Sequence, residues 1–85
     1  MAYTIQFKPA AMRQFEKLPR DVQKRVARRV EALGGDPFPS GCKRLAGSPD
    51  VWRVRVGDYR VVYQVQGEGL LILVLKIGHR REVHR

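Results

Sequence analysis

Val51-Trp52-Arg53-Val54-Arg55-Val56-Gly57-Asp58-Tyr59-Arg60-Val61-Val62-Tyr63 reads as two strands joined by a tight turn. Successive strand side chains point to opposite faces, so Trp52, Val54 and Val56 share one face while Arg53 and Arg55 share the other. Gly57-Asp58 is a two-residue hairpin signal, which pairs Val56 with Tyr59, Arg55 with Arg60, Val54 with Val61 and Trp52 with Tyr63. One face is then aromatic and aliphatic, and the other presents Arg53, Arg55 and Arg60 together. Two like charges directly opposite each other destabilise a sheet. An anion that belongs there explains such a cost most simply, and the guanidinium fork suits phosphate.

On the N-terminal side, Tyr3, Ile5 and Phe7 alternate with Thr4, Gln6 and Lys8 as a short strand with one buried face, ended by Pro9. Pro9 can open a helix, in which Met12, Phe15 and Leu18, with Ala11, recur at helical spacing until Pro19 interrupts. Val22, Val26, Val30 and Leu33 then form the apolar stripe of a second helix closed by Gly34-Gly35. Lys24, Arg25, Arg28 and Arg29 lie elsewhere on its surface; a solvated face is the plain reading, a phosphate track continuous with the sheet the alternative. Residues 36–50, rich in Pro and Gly, read as a surface loop anchored by Leu45. After the hairpin, Gly67-Glu68-Gly69 turns the chain into Leu70–Leu75, apolar on both faces and suited to a central strand, which Gly78 breaks. The basic tail from His79 to Arg85 then leaves the sheet. The expected fold is α+β, an N-terminal strand and helical hairpin packed on a four-stranded, mainly antiparallel sheet, with helices on one face and an open basic face on the other.

The chain of 85 residues is long enough for one domain, residues 1–85, with a single modest core. Seventeen Lys and Arg against eight Asp and Glu give a formal net charge of +9, which favours a polyanionic partner such as RNA or DNA, or an acidic protein. Cys42 is the only cysteine, so packing rather than an internal disulfide holds the fold and a reducing cytoplasm fits. The opening residues lack the apolar core of a signal peptide, and the longest apolar run is far short of the roughly 20 residues of a membrane span. A cytoplasmic protein without a membrane partner is expected.

Familiar enzyme constellations are mostly absent. Gly67-Glu68-Gly69 lacks the rest of a dinucleotide fingerprint, His79 and His84 have no clustered metal-ligating partner, and Cys42 has no nucleophile signature. No metal site and no cofactor are expected. Phosphate chemistry without a metal remains open. RNA can be cleaved by its own 2′-hydroxyl, given a base for that proton, an acid for the leaving 5′ oxygen and cations for the charge building on phosphorus. Arginine supplies the cation but is a poor base, whereas histidine can move protons near neutral pH. His79 and His84 are the only histidines. Read by themselves, both are as well explained as solvated surface groups.

Leu45-Ala46-Gly47, the segment from Trp52 to Tyr63, and Ile77-Gly78-His79-Arg80-Arg81-Glu82-Val83-His84 resemble the RelE branch of the RelE/ParE toxin superfamily. The resemblance covers nearly the whole chain. It implies a toxin of a type II toxin–antitoxin module, a helical hairpin on an antiparallel sheet, and cleavage of messenger RNA in the ribosomal A site. It places catalytic roles on Arg53, Arg55, Arg60, Arg80 and His84, with Lys43, Arg44, His79 and Arg81 as further RNA contacts. The implied partners are the ribosome, messenger RNA and an acidic antitoxin that folds on binding. Relatives often carry lysines where this chain has Arg53 and Arg55, and a tyrosine at the position of His84. The arginines shift the emphasis to charge stabilisation and leave His84 as the base. Two other functions fit the same fold: a ParE-like poison of DNA gyrase, and a basic RNA- or ribosome-binding module without catalysis.

Overall fold

A computed structural model describes residues 2–79; Arg80, Arg81 and His84 lie outside the described residues. The hairpin forms in the register that its alternation implies. Strand β3 (Val51–Val56) runs antiparallel to β4 (Tyr59–Gln66), with Val56 opposite Tyr59, Arg55 opposite Arg60, Val54 opposite Val61 and Trp52 opposite Tyr63. Gly57 alone of the two turn residues has a positive φ, +60°, the pattern of a type II′ turn whose twist matches the strands it joins.

The remaining elements assemble around this pair. Strand β1 (Thr4–Phe7) leads into helix α1 (Pro9–Glu16), which Pro9 opens at its first position. Helix α2 (Arg20–Leu33) follows at once, and its stripe of Val22, Val26, Val30 and Leu33 is wholly buried. Strand β5 (Leu71–His79) lies between β4 and β1, antiparallel to the first and parallel to the second, in the order β1-β5-β4-β3-β2. The core joins the α2 stripe and Ala11 to Val54, Val56, Val61, Tyr63, Val65, Ile72, Val74 and Ile77 of the sheet. Both helices therefore cover one face.

Five details depart from the sequence reading. Gly78 does not break β5, and His79 does not open a tail that leaves the sheet: the strand continues to His79, because Gly78 and His79 still pair with Arg60 and Tyr59 of β4. The sheet has five strands rather than four. The addition, β2 (Lys43–Arg44), pairs with Trp52 and Arg53 inside the segment read as loop, and two residues are too few to show any periodicity. Met12 is 39% exposed instead of core-facing, because Ala11 and Phe15 form the inward line of α1, continued by Leu18 just past its end, and Met12 is turned about 100° from Ala11. Gly34 ends α2 with φ −61°, so it is no left-handed cap. A Cβ there would lie 3.2 Å from the Glu31 oxygen and 3.3 Å from the Tyr3 oxygen, so glycine serves the close approach of the chain before β1, whose Tyr3 N–H donates to the Gly34 oxygen at 2.8 Å.

The fifth departure is a bulge. Val62 pairs with Lys76 and Tyr63 with Val74, so Leu75 is an extra residue in β5. Alternation from Ile72 and Val74 would carry Lys76 and Gly78 inward; the bulge reverses the parity, buries Ile77 and leaves Lys76 exposed. Beyond Val74 the edge of β5 has passed the end of β1, and there the Ile77 N–H donates to Gln14 Oε1 of α1 at 2.8 Å. Among the described residues no helix is long and apolar enough to cross a membrane.

Candidate nucleic-acid interface

The face of the sheet away from the helices carries the basic set. Arg55 and Arg60 sit opposite each other, and across from Arg60 on β5 is Gly78, which has no side chain. In the neighbouring row, Lys43, Arg53, Val62 and Lys76 follow one another across β2, β3, β4 and β5. Val62 is 8% exposed yet lies outside the helix-side core, flanked in register by Arg53 and Lys76, whose aliphatic stems suit such cover. The two rows place five cations on one side of a small sheet. Pairs at this spacing repel.

A cleft of about 390 Å³ opens where this face meets the edge of β3. Arg53, Arg55 and Arg60 line it from the sheet, Lys43 from β2, and Ser40 and Gly41 from the preceding loop. Arg29 of α2 reaches it from the helix side. β2 stops opposite Arg53, so among the described residues β3 from Val54 to Val56 has no strand partner on this side, and the cleft follows that open edge.

The loop forming the far wall is tied down at several points. The Tyr63 hydroxyl, wholly buried, donates to the Pro37 oxygen at 2.8 Å, and Phe38 meets Trp52 edge-on with ring centroids 4.8 Å apart. Burial pushes the Tyr63 phenol well above its ordinary range, helped by the nearby Cys42 thiol and opposed by Arg29. Cys42 is partly buried.

The candidate residues separate into groups. Arg53, Arg55, Arg60 and Lys43 come together at the cleft. Arg44 is the register partner of Trp52, so its side chain starts on the face opposite to that of Lys43; it lines a separate shallow depression with residues 45–49. His79 pairs with Tyr59, and their rings meet edge-on with centroids 5.5 Å apart on the helix side of the sheet. A second hollow there is lined by His79, Tyr59, Gln14 and Lys17. The Leu75 bulge is what divides His79 from the arginines. Sequence reasoning passed over Lys76 and did not single out Arg29 from the other cations of its helix. The parity of the apolar run hides Lys76, and the position of Arg29 among five basic residues of α2 gave no sign that it alone of them reaches the cleft. Among the described residues, no cluster of three or more His, Cys, Asp or Glu could hold a metal ion.

The family of the ParE toxin of type II toxin–antitoxin system parDE matches residues 5–84. Toxin RelG of Mycobacterium tuberculosis is 32% identical over all of this chain and 99% of its own length. The mRNA interferase toxin RelE of Escherichia coli K12 is 30% identical over 94% of this chain and 85% of its own. The archaeal RelE in its complex with RelB from Pyrococcus horikoshii superposes with a TM-score of 0.83 at 28% identity, covering 94% of this chain and 97% of that one. The fold and sequence together define a toxin of the type II toxin–antitoxin class. The chain belongs to the RelE/ParE toxin superfamily, and within it to the RelE-like branch.

Proposed function

We propose that this chain is a ribosome-dependent, metal-independent endoribonuclease that cleaves messenger RNA in the ribosomal A site and so halts translation. The observation that carries the reading is the convergence of Arg53, Arg55, Arg60 and Lys43 on one cleft, on the sheet face the core does not use. The relative named an mRNA interferase supports it.

In this reading the RNA 2′-hydroxyl gives its proton to a base and attacks the adjacent phosphorus, the bond from phosphorus to the 5′ oxygen breaks as a 2′,3′-cyclic phosphate forms, and the leaving 5′ oxygen takes a proton from solvent water. Arg55 and Arg60 hold the phosphate between them and stabilise the negative charge that grows on its equatorial oxygens. Arg53 and Lys43 extend the grip, while Arg80 adds a cation from beyond the last strand. Arginine does not exchange protons at neutral pH, so His84 serves as base. His79, turned against Tyr59, is left to contact RNA outside the reacting group. The described residues offer few groups to align the 2′-hydroxyl in line, and the ribosome supplies that alignment.

The inhibitory partner is an antitoxin bearing an acidic, amphipathic segment that folds on the toxin. Complexes of neighbouring structures with RelB support it, and the +9 charge suits such a partner. A purified translation system with mapping of messenger RNA ends tests the function. Cleavage of translated message and little cleavage of the same RNA free in solution is expected. Equal cleavage of both rejects ribosome dependence, and intact message with trapped gyrase–DNA complexes in treated cells instead establishes the ParE-like reading.

A further inference from the structure

Arg29 stands apart from the other cations of α2. Its Cα lies one turn from both Val26 and Leu33, so its stem descends beside the buried stripe, and its guanidinium enters the cleft at the open edge of β3. Its Nε is buried and, among the described residues, donates to no acceptor. A buried, unsatisfied donor is ordinarily unfavourable, and solvent at the helix surface would relieve it if the side chain simply turned outward. Across the cleft mouth stand Lys43, the Ser40 hydroxyl and Gly41, whose φ of +91° turns the loop there and which has nothing within 4 Å of the position a Cβ would take. The cleft volume falls in the lower part of the roughly 300–1,000 Å³ usual for small-ligand pockets, more room than one phosphate fills.

We propose that Arg29 and Lys43, with the Ser40 hydroxyl, form a second phosphate subsite at the open edge of β3, holding the RNA phosphate next to the one gripped by Arg55 and Arg60. This rests on the RNA reading above. The cations run in a line from Arg60 and Arg55 on the sheet face, through Arg53 and Lys43, around the strand edge to Arg29. A chain with one charge per nucleotide follows such a line, whereas a folded acidic helix presents its carboxylates along one face and fits an edge cleft poorly. Arg29 is in this scheme a positioning residue: it fixes the register of the strand and touches no reacting atom.

The test measures affinity for a short 2′-O-methyl single-stranded RNA, which cannot be cleaved, over a range of salt concentrations. Arg29→Met keeps the stem and removes the charge. It should weaken binding about tenfold at low salt and reduce the slope of log K against log salt by about 0.7, the share of one phosphate on a single strand. Arg29→Lys should restore most of the slope, and melting should be unchanged or raised for Arg29→Met. An unchanged slope overturns the subsite, as does a loss of binding matched by a fall in melting temperature that Lys43→Met does not share. Unchanged RNA binding with weakened antitoxin binding also overturns it and assigns Arg29 to the protein partner. If Arg60→Ala leaves binding and slope intact as well, the RNA reading itself fails; if Arg60→Ala abolishes cleavage while Arg29→Met changes nothing, only the second subsite fails.

Discussion

Arg55 and Arg60 face each other across the β3–β4 hairpin on the side of the sheet without helices. The same strand pair supplies Val54, Val56, Val61 and Tyr63 to the core, and like charges directly opposite each other repel. In the proposed function, a phosphate bound beside both guanidinium groups turns their shared positive charge into a binding site.

Arg60→Ala removes one member of the pair and no core side chain. Its melting temperature should match or exceed that of the unaltered chain, measured by circular dichroism. A loss of about 2 kcal/mol, near 10 °C for a domain this size, would show that Arg60 holds the hairpin together rather than loading it.

Tyr63→Phe should cost about 1 kcal/mol by removing the hydrogen bond to the Pro37 oxygen. Its pH dependence is more diagnostic. The buried phenol ionises far less readily in the folded chain than in the unfolded one. The stabilisation is therefore complete below about pH 10, the ordinary tyrosine value, and declines as pH rises above it, where the unfolded chain releases the proton and the folded chain does not. Urea denaturation from pH 8 to 11 should show a steeper alkaline loss for the unaltered protein than for Tyr63→Phe. Parallel curves would show that the phenol is not shielded.

Gln14→Ala deprives the Ile77 N–H of its acceptor at the point where β5 runs past β1. Amide exchange at Ile77 should accelerate by at least tenfold, with a stability loss of about 1–3 kcal/mol. Unchanged exchange would mean that the sheet edge is protected without α1.

Gly57→Ala places a side chain at φ +60° and brings a Cβ to 3.1 Å from Arg25 Nη1. The arginine end can move, so the backbone term dominates, about 1–2 kcal/mol. Thermal denaturation should reveal a drop of roughly 4–15 °C. No drop would mean that the turn adopts another form.

The hairpin was legible because three signals agreed: period-two alternation, a glycine at the turn, and arginines confined to one parity. The helices were legible for the same kind of reason, since Pro9 and Pro19 marked their starts and four aliphatic residues marked the buried side of α2. What escaped was set by register between distant segments. The Leu75 bulge arises from how β4 and β5 fit, and it moves Lys76 onto the basic face and His79 off it without a trace in the local pattern. Arg29 escaped for a similar reason: its neighbours Lys24, Arg25 and Arg28 have the same composition, and only the tertiary position of the β3 edge distinguishes it. Arg53, Arg55, Arg60 and Lys43 were legible as candidates, and their gathering at one cleft follows from the strand pairing.

The central claim, that the Arg55–Arg60 pair is a phosphate site serving RNA cleavage, is tested most directly by mapping message ends in a purified translation system with Arg60→Ala beside the unaltered protein. Removing a cation from the developing phosphorane costs on the order of 3 kcal/mol. The cleavage rate should therefore fall at least a hundredfold while the variant remains folded. A folded Arg60→Ala protein that cuts translated message at the unaltered rate would contradict the claim.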